Sequence, residues 1–239
     1  MDHKKVIKKY LIVVPARGGS KSIPKKNIKN FAGKPLISHT IDSLENIKKT
    51  FDCVLTSDSE EILNIVAAND LIFKIKRPSE LAQDNSLSIH VIQHALSEME
   101  NINKCSYQNI IMLQPTSPLR KEQHILEAIE RYELDDSDSL VSLVSVEGNH
   151  PFRMKRVIND KAINFIEQGF EDMRPRQVLP SVYIRNGSIY ISKSELISKN
   201  ESFIGKNCAS YIMSSIESIN IDSILDFEFA EFIFNKVNR

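Results

Sequence analysis

Over the first 150 residues of this chain, short apolar segments rich in β-branched residues alternate with longer segments whose apolar residues recur every three or four positions. The first kind is typical of buried strands and the second of amphipathic helices. The predicted strands are residues 10–14, 53–56, 71–75, 110–113 and 140–146, and the predicted helices are residues 36–48, 59–68, 88–99 and 123–132. This alternation predicts an α/β fold with a doubly wound, mostly parallel sheet.

The alternation stops near residue 150. Residues 156–158 and 161–163 have the pattern of two short strands around a turn at Asn159-Asp160, which predicts a β-hairpin arm within residues 151–182. Strands at 188–192 and 211–213 and a last helix at 223–237 follow. Because no repeat, low-complexity tract or linker interrupts the sequence, we expect residues 1–239 to form a single domain with the arm as an insertion.

Charge and composition exclude several classes of protein. The 239 residues include 31 basic and 31 acidic residues, whereas proteins that bind nucleic acid or anionic membranes normally carry a basic excess. The apolar stretch before Pro15 is too short for a signal peptide or a membrane span, so we expect a cytoplasmic protein. The three cysteines, Cys53, Cys105 and Cys208, show no CxxC spacing and are expected to be free thiols.

The segment after the first predicted strand, residues 15–21 (PARGGSK), places two glycines between two cations. Glycine allows a positive φ and lets backbone N–H groups approach an anion, and Arg17 and Lys21 supply the charge that a polyphosphate requires. Ligands of doubly wound sheets bind at the carboxyl ends of strands, where this loop is expected to lie. A simple Gly-Gly turn with solvated cations is the alternative.

Further polar segments are predicted at strand ends or in loops: residues 77–78, 114–120, 174–177 with 186–187, and 220–222. They add several cations and few carboxylates, which suits a polyanionic substrate with a metal ion. Asn220 and Asp222 offer hard oxygens to Mg²⁺ from alternate positions of an extended segment. Two simpler interpretations stay open: residues 114–120 as a capped helix entry, and Asp222 as the N-cap of the last helix.

Taken in order, these segments resemble the CMP-sialic acid synthetases, the cytidylyltransferases that activate nonulosonic acids. The resemblance is carried by ARGGSK at 16–21 with Lys26-Asn27, Arg77-Pro78, QPTSPLR at 114–120, RPRQ at 174–177, Asn186-Gly187 and Ile221-Asp222. Two positions depart from the family pattern: this chain has Asn220 where a second Asp is usual, and Ser22 where a Gly is usual.

The resemblance implies a nucleotidyltransferase with a Rossmann-like fold that transfers CMP from CTP to the anomeric hydroxyl of a nonulosonic acid and releases pyrophosphate, for surface glycan biosynthesis. It implies Arg17, Lys21 and Asp222 as catalytic residues, and Mg²⁺ bound by Asp222 with Asn220 as a second candidate ligand. The implied nucleotide site is Ala16, Arg17, Gly18, Gly19, Ser20, Lys21, Asn27 and Arg77, and the implied sugar site is Gln114, Arg153, Arg176, Asn186 and Phe203. It also implies a homodimer through the arm. The balanced charge leads us to expect no nucleic-acid or membrane partner.

Other functions stay open. An enzyme with the same sheet could activate a different sugar, such as Kdo or a sugar phosphate. The arginines at 174 and 176 nevertheless favour an acceptor that carries a carboxylate. The replacement at Asn220 is also compatible with a non-catalytic nucleotide-binding protein. Which nonulosonic acid is used, among neuraminate, legionaminate and pseudaminate, does not follow from the sequence.

Overall fold

The computed structural model describes residues 6–134, 136–167, 173–199 and 202–237. The strands in these residues are β1 (Val6–Pro15), β2 (Asn30–Phe31), β3 (Lys34–Pro35), β4 (Asp52–Ser57), β5 (Ile72–Lys76), β6 (Cys105–Leu113), β7 (Ser139–Ser145), β8 (Lys155–Ile158), β9 (Lys161–Asn164), β10 (Tyr183–Lys193) and β11 (Cys208–Ile212). The α-helices are α1 (Leu36–Asp42), α2 (Glu60–Leu63), α3 (Ser88–Asn103), α4 (Glu122–Leu134), α5 (Ser194–Lys199) and α6 (Ile224–Val237).

Seven strands form the central sheet, in the order β11-β7-β10-β6-β1-β4-β5. Neighbouring strands are parallel except for β10, which runs antiparallel to both β6 and β7. The predicted doubly wound, mostly parallel sheet is therefore confirmed. The position of β10 between β6 and β7 is a new finding, because the periodicity of a strand carries no information about its neighbours.

Strand β1 lies inside the sheet and is buried on both faces. Its side chains alternate, so that Ile12 and Val14 pack in one apolar cluster with residues of α1, α2 and α4, while Leu11 and Val13 pack in another with residues of α3 and α5. Helices thus cover both faces, as expected for parallel strands. This packing fixes the end of β1 at the edge of the sheet where its parallel neighbours also end.

Two of the predicted helices are shorter than the sequence pattern suggests. Helix α1 ends at Asp42, and residues 47–49 form a separate 3-10 helix, although Leu44 and Ile47 remain buried. The hydroxyl of Ser43 donates a hydrogen bond of 2.7 Å to the carbonyl of Thr40, a local contact that competes with helix continuation. The helix predicted at 59–68 likewise narrows to a 3-10 helix after Leu63, and both predicted lengths were wrong.

Strands β8 and β9 form the predicted hairpin arm. The two turn residues, Asn159 and Asp160, have φ angles of 49° and 60°, as in the tight turns that match the twist of antiparallel strands. Residues 168–172 of the predicted arm lie outside the described residues. Cys53, Cys105 and Cys208 are free, and no described helix is long and apolar enough to span a membrane.

Candidate active site

A cavity of about 430 Å³ lies at the carboxyl ends of β1, β5 and β6. Its walls are the loops that follow these strands, and they bring together most of the residues predicted to bind nucleotide: Arg17, Gly19, Ser20, Lys21, Asn27 and Arg77. Ala16 and Gly18 do not line it. Ala16 is buried in the core, where its N–H extends the ladder to β4 by donating to the carbonyl of Thr56 at 3.0 Å. Ala16 is 1% exposed, so a contact of this residue with the nucleotide would have to be made by its backbone.

Both predicted phosphate-binding cations are present in this cavity and share one partner. Arg17 Nη1 and Lys21 Nζ each lie 2.8 Å from the carboxylate of Asp84, the first on Oδ1 and the second on Oδ2. The hydrogen bond from Lys21 is the largest contribution that lowers the pKa of Asp84, followed by the one from Arg17. Both cations are therefore paired with one carboxylate, although the side chain of Lys21 remains 80% exposed.

Neither Gly18 nor Gly19 has a positive φ, which corrects the expectation from the sequence, and only Gly18 is in a place where another residue would be crowded. Among the described glycines only Gly33 and Gly187 have positive φ. A Cβ on Gly18 would lie 3.0 Å from the Cβ of Ser59, and its N–H donates to Asp58 at 2.9 Å. That N–H is therefore already engaged, and Gly18 serves to dock the loop on the residues after β4.

Asn27 and Arg77 hold the cavity from two sides. The side-chain amide of Asn27 donates to the carbonyl of Arg17 at 2.8 Å. This hydrogen bond fixes the backbone of residues 15–21, the predicted phosphate loop. Arg77 is buried, and its Nη2 lies 3.4 Å from the carboxylate of Asp58, while its Nε has no hydrogen-bond partner among the residues that the structure describes. Burial lowers the pKa of this guanidinium, and the nearby Asp58 carboxylate opposes the shift.

Lys26 also lines the cavity, and the sequence assigned it no role beyond the resemblance. Its Nζ donates to the carbonyl of Ile221 at 2.7 Å and lies 3.9 Å from the carboxylate of Asp222. Burial lowers the pKa of Lys26, an effect that Asp222 partly offsets. A lysine held in this way is a cation whose charge is poorly solvated, and it gains from the approach of an anion.

A second cavity, of about 470 Å³, adjoins the first and shares Gln114, Asn220 and Asp222 with it. Gly187 lines the second cavity next to these shared residues, and its φ is 77°. A Cβ at Gly187 would lie 2.9 Å from Oε1 of Gln114 and 3.4 Å from Oδ1 of Asn220. Glycine is required here both by conformation and by space.

The segment 114–120 is held in place by its own last residue. Arg120 is fully buried, and its Nη1 donates to the carbonyls of Gln114 at 3.1 Å and Ser188 at 3.0 Å, while Nη2 donates to Thr40 at 2.8 Å. Desolvation lowers the pKa of Arg120 to about 9, which leaves it charged near neutral pH. Arg120 thus ties the loop after β6 to β10, a role that no sequence pattern indicated.

The alternative of a capped helix entry with Pro118 in the first turn is wrong, because α4 begins only at Glu122.

Asp222 does not cap the last helix, which removes the second simple interpretation. The N–H of Asp226 donates to the Ser223 hydroxyl at 3.2 Å, and the Ser223 N–H donates back to the Asp226 carboxylate at 2.7 Å. This reciprocal pair is a capping box, and the spacing Ser223-x-x-Asp226 was a signal for it in the sequence. The carboxylate of Asp222 is instead exposed toward the two cavities.

The oxygen donors at this junction fit a Mg²⁺ ion that keeps water and substrate ligands. Asp222 supplies one carboxylate, and Oδ1 of Asn220 is buried with no hydrogen-bond partner in the described part of the chain. Among the described residues, no group of three or more His, Cys, Asp or Glu side chains forms a protein-only metal cage. Mg²⁺ is commonly bound by one or two protein oxygens together with waters and phosphate oxygens, so this donor set is compatible with it.

The residues predicted for the sugar site are only partly brought together. Gln114 and Asn186 line the second cavity, although Asn186 is buried and bonded to Ser142 and Ser218. Phe203 lines neither cavity and packs near Tyr190, which does line the second. Arg153 and Arg176 line neither cavity of their own chain: Arg153 donates to the carbonyl of Arg174, and Arg176 pairs with Glu147. The cation that lines the second cavity is Arg185, which the sequence did not single out.

Residues 11–204 match the family model described as cytidylyltransferase. This chain belongs to the cytidylyltransferase family. The match begins inside β1 and includes the phosphate loop, Asp84, segment 114–120 and the hairpin arm, and it ends before β11.

Curated relatives agree with this family. Over 228 residues the chain is 32% identical to the post-translational flagellin modification protein B of Campylobacter coli, covering 95% of this chain and 96% of that protein. It is 32% identical over 233 residues to the N-acylneuraminate cytidylyltransferase of Escherichia coli O18:K1:H7, covering 97% of this chain and 53% of that protein. It is also 32% identical over 228 residues to the CMP-N,N'-diacetyllegionaminic acid synthase of Legionella pneumophila, covering 93% and 95%.

These relatives differ in length. The chain spans about half of the Escherichia coli protein and nearly all of the Legionella one. Among solved structures, the fold is similar to that of CMP:2-keto-3-deoxy-manno-octonic acid synthetase complexed with CTP, with a TM-score of 0.71, 17% identity, and coverage of 96% of this chain and 100% of that one. At this identity the similarity shows the fold alone.

Proposed function

We propose that this protein transfers CMP from CTP to the anomeric hydroxyl of a nonulosonic acid and releases pyrophosphate. The observation that carries the proposal is the junction of two cavities at Gln114, Asn220 and Asp222, with the cations concentrated in one of them. Named relatives that act on N-acylneuraminate and legionaminic acid support the choice of acceptor. In this reaction the acceptor oxygen forms a bond to the α-phosphorus, the bond from that phosphorus to the bridging oxygen breaks, and the hydroxyl proton is lost.

The first cavity is suited to the nucleotide. Four cations line it, namely Arg17, Lys21, Lys26 and Arg77, against two carboxylates, Asp84 and Asp222. Arg17 and Lys21 hold the β- and γ-phosphates in our proposal, because they lie in the loop whose backbone Asn27 fixes. Phosphoryl-type transfer depends mainly on positioning and charge stabilisation, and both are available from these side chains.

The second cavity is suited to a sugar acid. Arg185 offers a guanidinium to the acceptor carboxylate, and Gln114 lies between this cavity and the nucleotide. Asn186 is hydrogen-bonded to Ser142 and Ser218, which keeps this wall of the cavity rigid. The role of Asn186 is therefore to shape the cavity. An acceptor held here presents its hydroxyl to the junction, as in-line attack requires.

Asp222 is the titratable residue that both cavities share among the described residues. Together with Asn220 it would hold Mg²⁺, which supplies charge neutralisation and lowers the pKa of a coordinated hydroxyl. Lys26, 3.9 Å from Asp222, adds a positive charge on the nucleotide side of the junction. The proton of the acceptor hydroxyl passes to solvent at the junction, and no dedicated general base is assigned to this step.

We further propose a cytoplasmic homodimer formed through the hairpin arm. Val157, Ile158, Ile163 and Phe165 of the arm are exposed apolar residues, and a second copy of the arm would bury them. Arg153 and Arg176 line neither of the two cavities that the described residues form here, and in such a dimer we propose that they would face the sugar site of the neighbouring subunit. This reconciles their predicted role with their positions in a single chain.

An acceptor panel tests the proposed function. Pyrophosphate release from CTP would be measured with Mg²⁺ and N-acetylneuraminate, legionaminate, pseudaminate, Kdo or a sugar 1-phosphate. Release with one of the nonulosonic acids, with a CMP-sugar formed in equal amount, is the expected result. Release with Kdo or with a sugar phosphate alone would support activation of a different sugar, and CTP binding without release for any acceptor would support a non-catalytic nucleotide-binding protein.

A further inference from the structure

Asp84 is the carboxylate of the first cavity to which the proposed chemistry gives no part. It follows a 3-10 helix at Ser79–Ala82 and lies in a turn in which the N–H of Ser86 donates to the carbonyl of Gln83 at 3.1 Å. Each of its two oxygens receives one cation of the phosphate loop, Arg17 on Oδ1 and Lys21 on Oδ2. The loop is 67 residues away in sequence, so this contact is a feature of the folded site.

The other cations of the cavity are bonded elsewhere. Arg77 is paired with Asp58, and Lys26 donates to the carbonyl of Ile221. Asp84 therefore engages the two cations that the proposed function assigns to the β- and γ-phosphates. It is about half exposed, so its carboxylate can turn into solvent without exposing a buried group.

We propose that Asp84 is an internal counter-ion of the phosphate site, which holds Arg17 and Lys21 in position before substrate binds and is displaced from both by the triphosphate. This inference rests on the proposed function and names a competitor within the chain for its anionic ligand. Because pyrophosphate would occupy the same cations, Asp84 opposes product binding as well and favours product release.

Displacement of the Asp84 carboxylate also affects one wall of the first cavity. Leu81, Gln83, Ser86 and Ser88 belong to the same segment as Asp84 and line the first cavity. The hydroxyl of Ser86 donates to the carbonyl of Glu80 at 2.8 Å, which anchors the segment next to Asp84. When the carboxylate of Asp84 leaves the two cations, the segment that lines this side of the first cavity loses its contacts with Arg17 and Lys21.

The test is the affinity for inorganic pyrophosphate, measured by titration calorimetry at constant Mg²⁺. Asp84→Asn keeps the shape of the side chain and removes its charge, whereas Glu80→Gln removes the same charge from an exposed position in the same segment. Two exposed ion pairs are lost in the first variant, which is expected to tighten pyrophosphate binding by about 2- to 30-fold. Glu80→Gln is expected to leave the affinity nearly unchanged.

A Lys21→Ala background makes the test specific. If Asp84 competes for the cations, the gain from Asp84→Asn shrinks when Lys21 is absent, because part of the competition has already been removed. An equal or weaker affinity in Asp84→Asn, a gain no larger than that of Glu80→Gln, or an undiminished gain in the Lys21→Ala background would each overturn the proposal. A wild-type protein that binds neither CTP nor pyrophosphate would instead contradict the proposed function itself.

Discussion

The side-chain amide of Asn220 donates a hydrogen bond of 2.7 Å to Oδ2 of Asp222, at the point where the two cavities meet. An amide in this place stabilises the lone carboxylate, whereas a second carboxylate would repel it. It also leaves one negative charge, rather than two, to attract the Mg²⁺ ion that we propose for this junction.

Substitutions at this pair are predicted to separate metal binding from folding. Asn220→Asp places two like charges in contact, so that the variant unfolds at a lower temperature without Mg²⁺ and is stabilised more strongly by added Mg²⁺ than the wild type. Two unit charges at 4 Å interact by roughly 4 kcal/mol at an effective dielectric of 20, before hydration offsets most of it. Thermal unfolding across a Mg²⁺ titration in the presence of CTP measures this.

Asp222→Asn provides the complementary result. Loss of the carboxylate is predicted to lower Mg²⁺-dependent turnover by about 100-fold or more, because the metal is held less tightly where charge develops. Turnover in Asp222→Asn with the Mg²⁺ dependence of the wild type would show that Asp222 is not a metal ligand. A Mg²⁺ midpoint in Asn220→Asp equal to that of the wild type would count against both assignments.

Gly187→Ala is predicted to damage the junction more than the fold. Its φ of 77° makes any other residue unfavourable by about 1–2 kcal/mol, and the new Cβ would press on Oε1 of Gln114 at 2.9 Å. We expect a modest fall in the free energy of unfolding and a larger fall in turnover. Gly148→Ala is the matched control, since a Cβ there would meet no described atom within 4 Å. Wild-type turnover in Gly187→Ala would contradict the role of this wall.

The burial of Lys26 predicts an alkaline limit for nucleotide binding. Its pKa is lowered by desolvation, so Lys26 loses its proton at a lower pH than a free lysine does, and a positive charge next to the phosphates is lost as pH rises. The KM for CTP should therefore increase on the alkaline side. In Lys26→Arg, which stays charged, this increase is predicted to move to higher pH. An identical pH profile in the two proteins would rule out Lys26 as its source.

The proposed dimer is tested by a charge in the hairpin arm. Val157 is 75% exposed on β8, and Val157→Asp is predicted to shift the protein from dimer to monomer in sedimentation velocity. Leu134→Asp is the control, because Leu134 is 77% exposed at the end of α4, away from the arm in sequence. A monomeric wild type, or a dimer that survives Val157→Asp, would contradict assembly through the arm.

Features set by local sequence could be predicted, and contacts between distant segments could not. The strand before the phosphate loop, the hairpin turn at Asn159 and Asp160, and the last helix all follow from nearby residues. The Ser223-Asp226 capping box was also visible in its spacing, and its recognition would have freed Asp222 from the helix-cap interpretation.

The features that could not be predicted are contacts between distant segments, as shown by Asp84, Arg120 and the placement of β10. The carboxylate of Asp84 meets Arg17 across 67 residues, and Arg120 reaches Ser188 across 68. Such pairs are chosen by tertiary packing, which hydrophobic periodicity does not encode. The same applies to Arg153 and Arg176, because resemblance to sugar-site residues did not reveal that they lie outside the two cavities of the site.

The affinity for CTP in Lys21→Ala is the most direct test of the central claim, that the triphosphate binds at the loop after β1. Calorimetry on the wild type, Lys21→Ala and Lys25→Ala compares two exposed lysines of the same region, of which only Lys21 lines the cavity. Loss of a charge-assisted hydrogen bond predicts that Lys21→Ala binds CTP about 10- to 100-fold more weakly, with Lys25→Ala close to the wild type. Equal affinity in the wild type and Lys21→Ala would contradict the account.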